Sequence, residues 1–320
     1  MKQTFIATLL TCYLSVICGQ DQQLLNKPGI FEVLGRTDYT LPECGFQKNE
    51  LIANLQKINE VINVVRRKNP VLTNIKGFDG RARIYNISCR DEERYGIPSR
   101  ISFEFCEFFR NNSGTIVRST IEPPEWSLIL NKMVPITGWQ FSSDRFAEGV
   151  DYFTIPRKKE TIETGIDVYE GENFVLYDHK RPPYWLPVTI EEAFAYVKEV
   201  WKRNPNKVTS EMMLKLIDNE YAALPAEDLK KQAYFGGGVS RVTNDSSFPQ
   251  IMRVNPDYWD KSRSKSDIQF VYFRWVMKKG FYTKEKEDCL RYNSTCYLNK
   301  FQEGFDLEDV RNLQKLVIKK

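Results

Sequence analysis

Residues 100–111 read RISFEFCEFFRN. Apolar Ile101, Phe103 and Phe105 alternate with their neighbours while Glu104 and Glu107 carry charge into the run, the period-two pattern of a half-buried antiparallel strand. Phe108 falls out of phase, so the pattern predicts a bulge near Cys106. Upstream lies ARIYNIS (82–88) and downstream TIVRSTI (115–121), with Ser113-Gly114 as the turn that makes the last two strands a β-hairpin. Before them, Leu51, Leu55, Ile58, Ile62 and Val65 recur at four-three spacing, which predicts one amphipathic helix. It ends at Arg66-Arg67-Lys68, where basic residues suit the negative end of the dipole, ahead of Asn69-Pro70. Helix followed by meander is an α+β layer pair.

The second half repeats the theme. TGIDVYEG and ENFVLYD are strands around a turn at Gly171, and Thr189 with Glu192 three residues on forms a capping box that opens TIEEAFAYVKEVWKR. VTSEMMLKLIDNEYAAL is a second helix and PAEDLKKQAYF a short third. FPQIMRV and DIQFVYFRWV read as a further strand pair, and a last helix starts at Asp306. The expected fold is α+β, with mostly antiparallel sheets and flanking helices. Its boundaries are a secretory signal at 1–19, one lobe at 20–155 and another at 156–320, with a single merged domain as the alternative.

The signal assignment rests on MKQTFIATLLTCYLSVICGQ: an early Lys2, an apolar run from Phe5 to Cys18 too short to span a bilayer comfortably, then small Gly19. Cleavage after Gly19 would deliver a secreted or periplasmic chain with no transmembrane segment. Lys and Arg number 46 against 42 Asp and Glu, and the charges are interspersed, which argues against a nucleic-acid partner. Seven cysteines fall to five without the signal. Five is odd, so one thiol stays unpaired in a monomer. Cys289 with Cys296, bracketing the polar LRYNST, is the first disulfide pairing expected; Cys89 with Cys106 is the second, with Cys44 left over. Five buried reduced thiols is the competing reading.

Several enzyme chemistries lack their residues. A single His179, no CxxC and no HExxH leave no zinc site, and no metal or cofactor is expected. GVSRV (238–242) has Val242 where a nucleophile elbow needs Gly, and Gly236-Gly237-Gly238 lacks the Lys-Ser/Thr of a phosphate loop. Carboxylate chemistry stays open. Glu122 and Glu125, flanking Pro123-Pro124, and His179 are the weak catalytic candidates, each more simply read as a solvated residue at a strand end or turn.

Three stretches, PPEW (123–126), PPYW (182–185) and PDYW (256–259), place a Trp three residues after a Pro. Their unequal spacing and unlike flanks exclude a repeat. Each follows a strand-like run, so the Pro would end a strand and the Trp fold back over it. Trp126, Tyr184, Trp185, Tyr258 and Trp259 are then either core anchors or ligand-stacking faces for a glycan or peptide.

Taken together, IEPPEW, TIPRKKETI, GIDVYEGE, RPPYWLPVT and NPDYWDKS resemble a family of secreted proteins of Bacteroidota-type bacteria with no established activity. The resemblance runs from about KGFDGRARIYN (76–86) through VYFRWV. It implies a compartment and a source and transfers no catalytic residue. The leading expectation is an extracellular or periplasmic binding module for peptide or glycan. The alternatives are a metal-independent, carboxylate-dependent hydrolase of glycosidase type and a structural envelope-associated protein.

Overall fold

The computed structural model describes residues 23–35, 45–86, 95–119, 122–133, 152–275 and 296–318. The expected secretory signal (1–19), Cys44, Cys89 and Cys289 lie outside them. The expected four-three helix is α1 (Lys48–Arg67), followed by the short α2 (Pro70–Thr73). Around these the first half contributes β1 (Phe31–Leu34), β2 (Phe78–Asn86), β3 (Ser99–Arg110), β4 (Ile116–Arg118) and β5 (Glu125–Leu130). The second half contributes β6 (Tyr152–Ile155), β7 (Lys158–Glu163), β8 (Ile166–Tyr169), β9 (Asn173–Tyr177), β10 (Trp185–Pro187), α3 (Ile190–Lys202) and α4 (Lys207–Ala222). Then follow β11 (Tyr234–Phe235), β12 (Val242–Thr243), β13 (Gln250–Val254), a 3-10 turn (Pro256–Tyr258), β14 (Phe270–Arg274), α5 (Cys296–Gly304) and α6 (Leu307–Ile318).

The fold is α+β. One sheet runs β1-β2-β3-β5-β14-β9-β8-β7, with β4 attached to β3, and a second runs β10-β13-β11-β12, with β6 on β13. Among the described pairs only β1–β2 is parallel. The large sheet crosses the expected lobe boundary at 155/156, because β14 bonds to β5 on one side and to β9 on the other. The two halves therefore share one sheet. Strands β13 and β14, expected as a pair, lie in different sheets, because each finds its partners far away in sequence. Residues 225–230, expected as a short helix, form turns.

Alternation sorts the large sheet into two faces. Phe78, Ala82, Ile84, Ile101, Phe103, Phe105, Trp126, Leu128 and Phe174 point to the side covered by α1, α5 and α6, where Ile58, Val65, Phe301, Val310 and Leu313 meet them. On the opposite side, Ile129, Val175, Phe270 and Tyr272 pack against Phe153, Trp185, Tyr258 and Trp259 from the region of the second sheet. A third cluster, with Ile190, Phe194, Ile217 and Ile251, seats α3 and α4 on that second sheet. Asn131 stands at the end of β5 in the left-handed region at φ 52. Its side chain accepts from Gln269 N (2.8 Å) and donates to the Asp267 carbonyl (2.8 Å), fixing the entry to β14.

The bulge expected near Cys106 is absent. Residues 99–107 of β3 pair with 78–86 of β2 without a register shift. A continuous ladder gives Glu107 the parity of Phe103 and Phe105, so it points toward the helix-covered face instead of solvent. Its Oε1 is buried with no hydrogen-bond partner among the described residues, and burial pushes the carboxyl up from an ordinary 4.5 to about 7. Tyr297 of α5 lies near enough for Glu107 to help raise its phenol, after burial, to about 12. Gly77 makes the close packing possible, since a Cβ there would stand 1.9 Å from the Tyr297 hydroxyl.

Because the folded value exceeds the unfolded one, the fold favours the protonated carboxyl. The resulting stability is complete below about pH 4.5 and is lost as pH rises through about 7. Glu107→Gln mimics the protonated form. It should match the parent in urea unfolding at pH 4.5 and exceed it at pH 8 by about 1–2 kcal/mol, after allowance for solvent screening. A constant difference across that range would refute the assignment.

Candidate functional site

The sequence candidates do not assemble into a site. Trp126, Tyr184, Trp185, Tyr258 and Trp259 are each 5% exposed or less, so none offers a ring face to a ligand. Trp126 is the second residue of β5 and Trp185 the first of β10, so two of the three Pro-x-x-Trp stretches are strand entries rather than the expected exits. Only Trp259 follows a strand, through its 3-10 turn. Trp126 is ringed by Phe103, Phe273, Phe301 and Phe305 at centroid distances of 5.0–5.7 Å, and its Nε1 donates to the Arg274 carbonyl at 2.7 Å. Trp185 donates to the Met133 carbonyl at 2.9 Å, whereas Trp259 Nε1 has no partner among the described residues. The hydrophobic gain from burying an indole outweighs whatever a turn position offers a ligand.

Tyr184 belongs to a buried polar chain. Its hydroxyl donates to Asp167 Oδ2 at 2.6 Å and meets the Tyr169 hydroxyl, also at 2.6 Å. Asp167, 2% exposed on β8, accepts in addition from Thr161 (2.7 Å) and Tyr177 (3.3 Å) and pairs with Lys158 Nζ at 2.8 Å. Burial pushes the Tyr177 phenol up to about 12 and holds Tyr184 well above its ordinary value, with the neighbouring Tyr169 and Asp167 adding to the Tyr184 shift. Every lone pair named here is used inside the protein. The network joins β8 to the segment before β10.

Glu122 and His179 are exposed, and Glu125 lies at the rim of β5. The strand register puts Glu125 at the end of the sheet where Arg274 and Asn173 pair, while His179 follows Tyr177 at the other end. The register does bring two carboxylates together, Glu104 opposite Glu125 across β3 and β5. These residues are 21 positions apart, and no local pattern announces the pairing. Each is taken up by arginine. Arg83 donates Nε to Glu104 Oε1 at 2.7 Å and Nη2 to Oε2 at 3.2 Å, and Arg100 is hydrogen-bonded to Glu125. Around them Arg118 joins Glu32 and Asp79 (3.3 and 3.2 Å), and Arg81 lies 3.6 Å from Glu32. Four guanidiniums and four carboxylates thus tile the polar face of β2, β3 and β5 as an ion-pair lattice.

Cys106 is a free thiol within that face, fully buried and pushed up mainly by burial. The expected Cys89–Cys106 disulfide is therefore not formed, and Cys106 is unpaired; Cys44, expected as the cysteine left over, lies outside the described residues. On β3 Cys106 stands opposite Asp79 of β2, in unbroken register. Cys296 is disulfide-bonded; its expected partner Cys289 is outside the described residues. In the glycine run, Gly237 and Gly238 take φ 72 and 53. The amide groups so presented are capped by the protein's own Glu220, which accepts from Val239 N and from Ser240 N at 2.9 Å. Burial opposes ionisation of Glu220, but these hydrogen bonds bring its carboxyl below the ordinary range. A phosphate would have to displace it.

An open concavity among the described residues lies elsewhere, on α3. A groove of about 540 Å³ is lined by Tyr152 of β6, Phe194, Ala195, Tyr196 and Lys198 of α3, and Tyr221 of α4. Thr189 caps α3 and its Glu192 reaches back to the Thr189 amide at 2.8 Å, so the helix start is fixed as the capping box predicts. Tyr152 packs on Tyr196 at 4.7 Å, and Phe194 meets Tyr221 edge-on at 5.4 Å. Lys198 lies 4.5 Å from the Tyr221 ring centre while pairing with Asp218 at 2.7 Å. Glu191, Glu192, Glu199, Lys202 and Arg203 complete a rim of both signs. Phe194 was legible as part of the apolar face of α3. Tyr152, Tyr196 and Tyr221 were not, since they come from three elements that only the fold brings together.

Among the described residues no group of three or more His, Cys, Asp or Glu is placed to hold a metal ion, and no helix is long and apolar enough to cross a membrane. No family model, no curated protein and no solved structure matches this chain.

Proposed function

We propose that this chain is a secreted or periplasmic binding module that takes an extended peptide segment into the groove on α3. The observation that carries the reading is the set of aromatic side chains, Tyr152, Tyr196 and Tyr221, along an open concavity of about 540 Å³, with the buried Phe194 beneath them. Preformed, mostly apolar concavities with a few polar groups at the edge are the usual shape of a ligand site. A rim with three acidic and three basic side chains, Glu191, Glu192 and Glu199 against Lys198, Lys202 and Arg203, favours a peptide carrying an apolar or aromatic anchor over a strongly charged ligand. The compartment is supported by the leader-like residues 1–19, by the disulfide at Cys296 and by the resemblance noted above.

The test is selection from a displayed peptide library on the mature chain, followed by calorimetry. Enriched peptides should share an aromatic or leucine anchor. Tyr196→Ala should weaken them at least about tenfold, a loss of about 1.4 kcal/mol. Ala195→Trp, at an exposed position that fills the groove without entering the core, should do the same. Enrichment indifferent to both variants, or none at all, rejects the reading. Binding to a glycan array through Tyr196 with no peptide enriched would change the ligand class.

A further inference from the structure

Helix α4 buries little of its apolar content. Its buried residues are Ser210 and Ile217, while Val208, Met212 and Leu216 are 79%, 56% and 41% exposed. At i, i+4 and i+8 these three form a stripe on one face of the helix, turned away from α3 and the groove. The stripe continues onto a loop. Glu220, one turn beyond Leu216, holds the amide of Val239, which is itself 38% exposed.

Charge along one edge of the stripe runs Lys207, Glu211, Lys215, Asp218, alternately positive and negative. Laid antiparallel against an identical helix, with Met212 facing Met212 and Val208 facing Leu216, this order is complementary to itself. Glu211 meets the second copy's Lys215, and Lys207 meets its Asp218, at both ends of a two-fold axis. Asp218 is already engaged with Lys198, so the inner pair, Glu211 and Lys215, flanks the stripe most directly. From the exposed stripe and this self-complementary edge we infer that a second copy of this chain docks on α4, the two helices antiparallel about Met212. Three side chains and a loop bury less than the about 800 Å² per partner of a standard interface, so the association is weak and concentration-dependent.

Sedimentation velocity of the mature full-length chain, up to about 1 mM, reads the equilibrium directly. The parent should shift from monomer to dimer, and Met212→Lys should remove the shift while leaving circular dichroism and thermal midpoint unchanged. Glu211→Lys alone and Lys215→Glu alone should each weaken the dimer at least about fivefold, and an equimolar mixture of the two should recover it as a heterodimer. A parent that stays monomeric throughout overturns the proposal, as does a dimer insensitive to Met212→Lys or a mixture no better than its components. A monomeric parent that binds phosphatidylcholine vesicles through Met212 would assign the stripe to a lipid surface and overturn it equally.

Discussion

Trp126→Ala should lower the free energy of unfolding by about 4 kcal/mol, read from urea titration. The indole fills the space between Phe103, Phe273, Phe301 and Phe305, so its removal opens a cavity where the sheet meets α5. It also leaves the Arg274 carbonyl without its donor. Those four rings come from β3, β14 and the α5 region, and they cannot all close into the gap without shifting strand register. Trp126→Phe keeps most of the volume and should cost about half as much. A loss below about 1.5 kcal/mol for the alanine variant would mean that the ring is not the anchor its packing implies. The same substitution would be nearly silent for stability if Trp126 were a ligand platform, so the measurement separates the two roles.

Asp167→Ala should be comparably costly, about 3–5 kcal/mol. The carboxylate accepts from Tyr184, Tyr177 and Thr161 and pairs with Lys158. Without it, Tyr184 and Tyr169 keep only one another, in a layer with little access to water. Tyr184→Phe alone removes one donor and should cost about 1–2 kcal/mol. The double variant should fall well short of the sum, because the hydroxyl has nothing to donate to once the carboxylate is gone. Strict additivity in the cycle would show that the two groups act independently, contrary to the 2.6 Å bond between them.

What could be read ahead of the structure was whatever a single segment decides. The four-three spacing of α1, the capping box at Thr189, and strands β8 and β9 around Gly171 need only neighbours in sequence, and all three are present. What depends on partners went unread. An isolated strand can absorb Phe108 by bulging; β3 instead stays in register with β2 through residue 107, and the cost falls on Glu107. The alternation of β14 looked like that of a strand paired with β13, yet its partners are β5 and β9. The site suffered in the same way. A Trp after a Pro is equally compatible with a platform and a core anchor, and only the facing residues decide. Tyr152, Tyr196 and Tyr221 carry no motif at all until two helices and a strand converge.

The placement of β14 bears on how the chain is made. Residues 270–274 fill the slot between β5 and β9, near the middle of a sheet whose other strands all end by residue 177. During synthesis even the last of the other described strands of that sheet leaves the ribosome about 90 residues before the one that joins its two halves. Until then β5 and β9 present open backbone edges, each able to recruit a stray strand. A translational pause after β9 would prolong that exposure, whereas a chaperone that covers the two edges would shorten the search. Nonsense truncation anywhere before residue 270 would leave the slot empty for good, with aggregation as its expected phenotype.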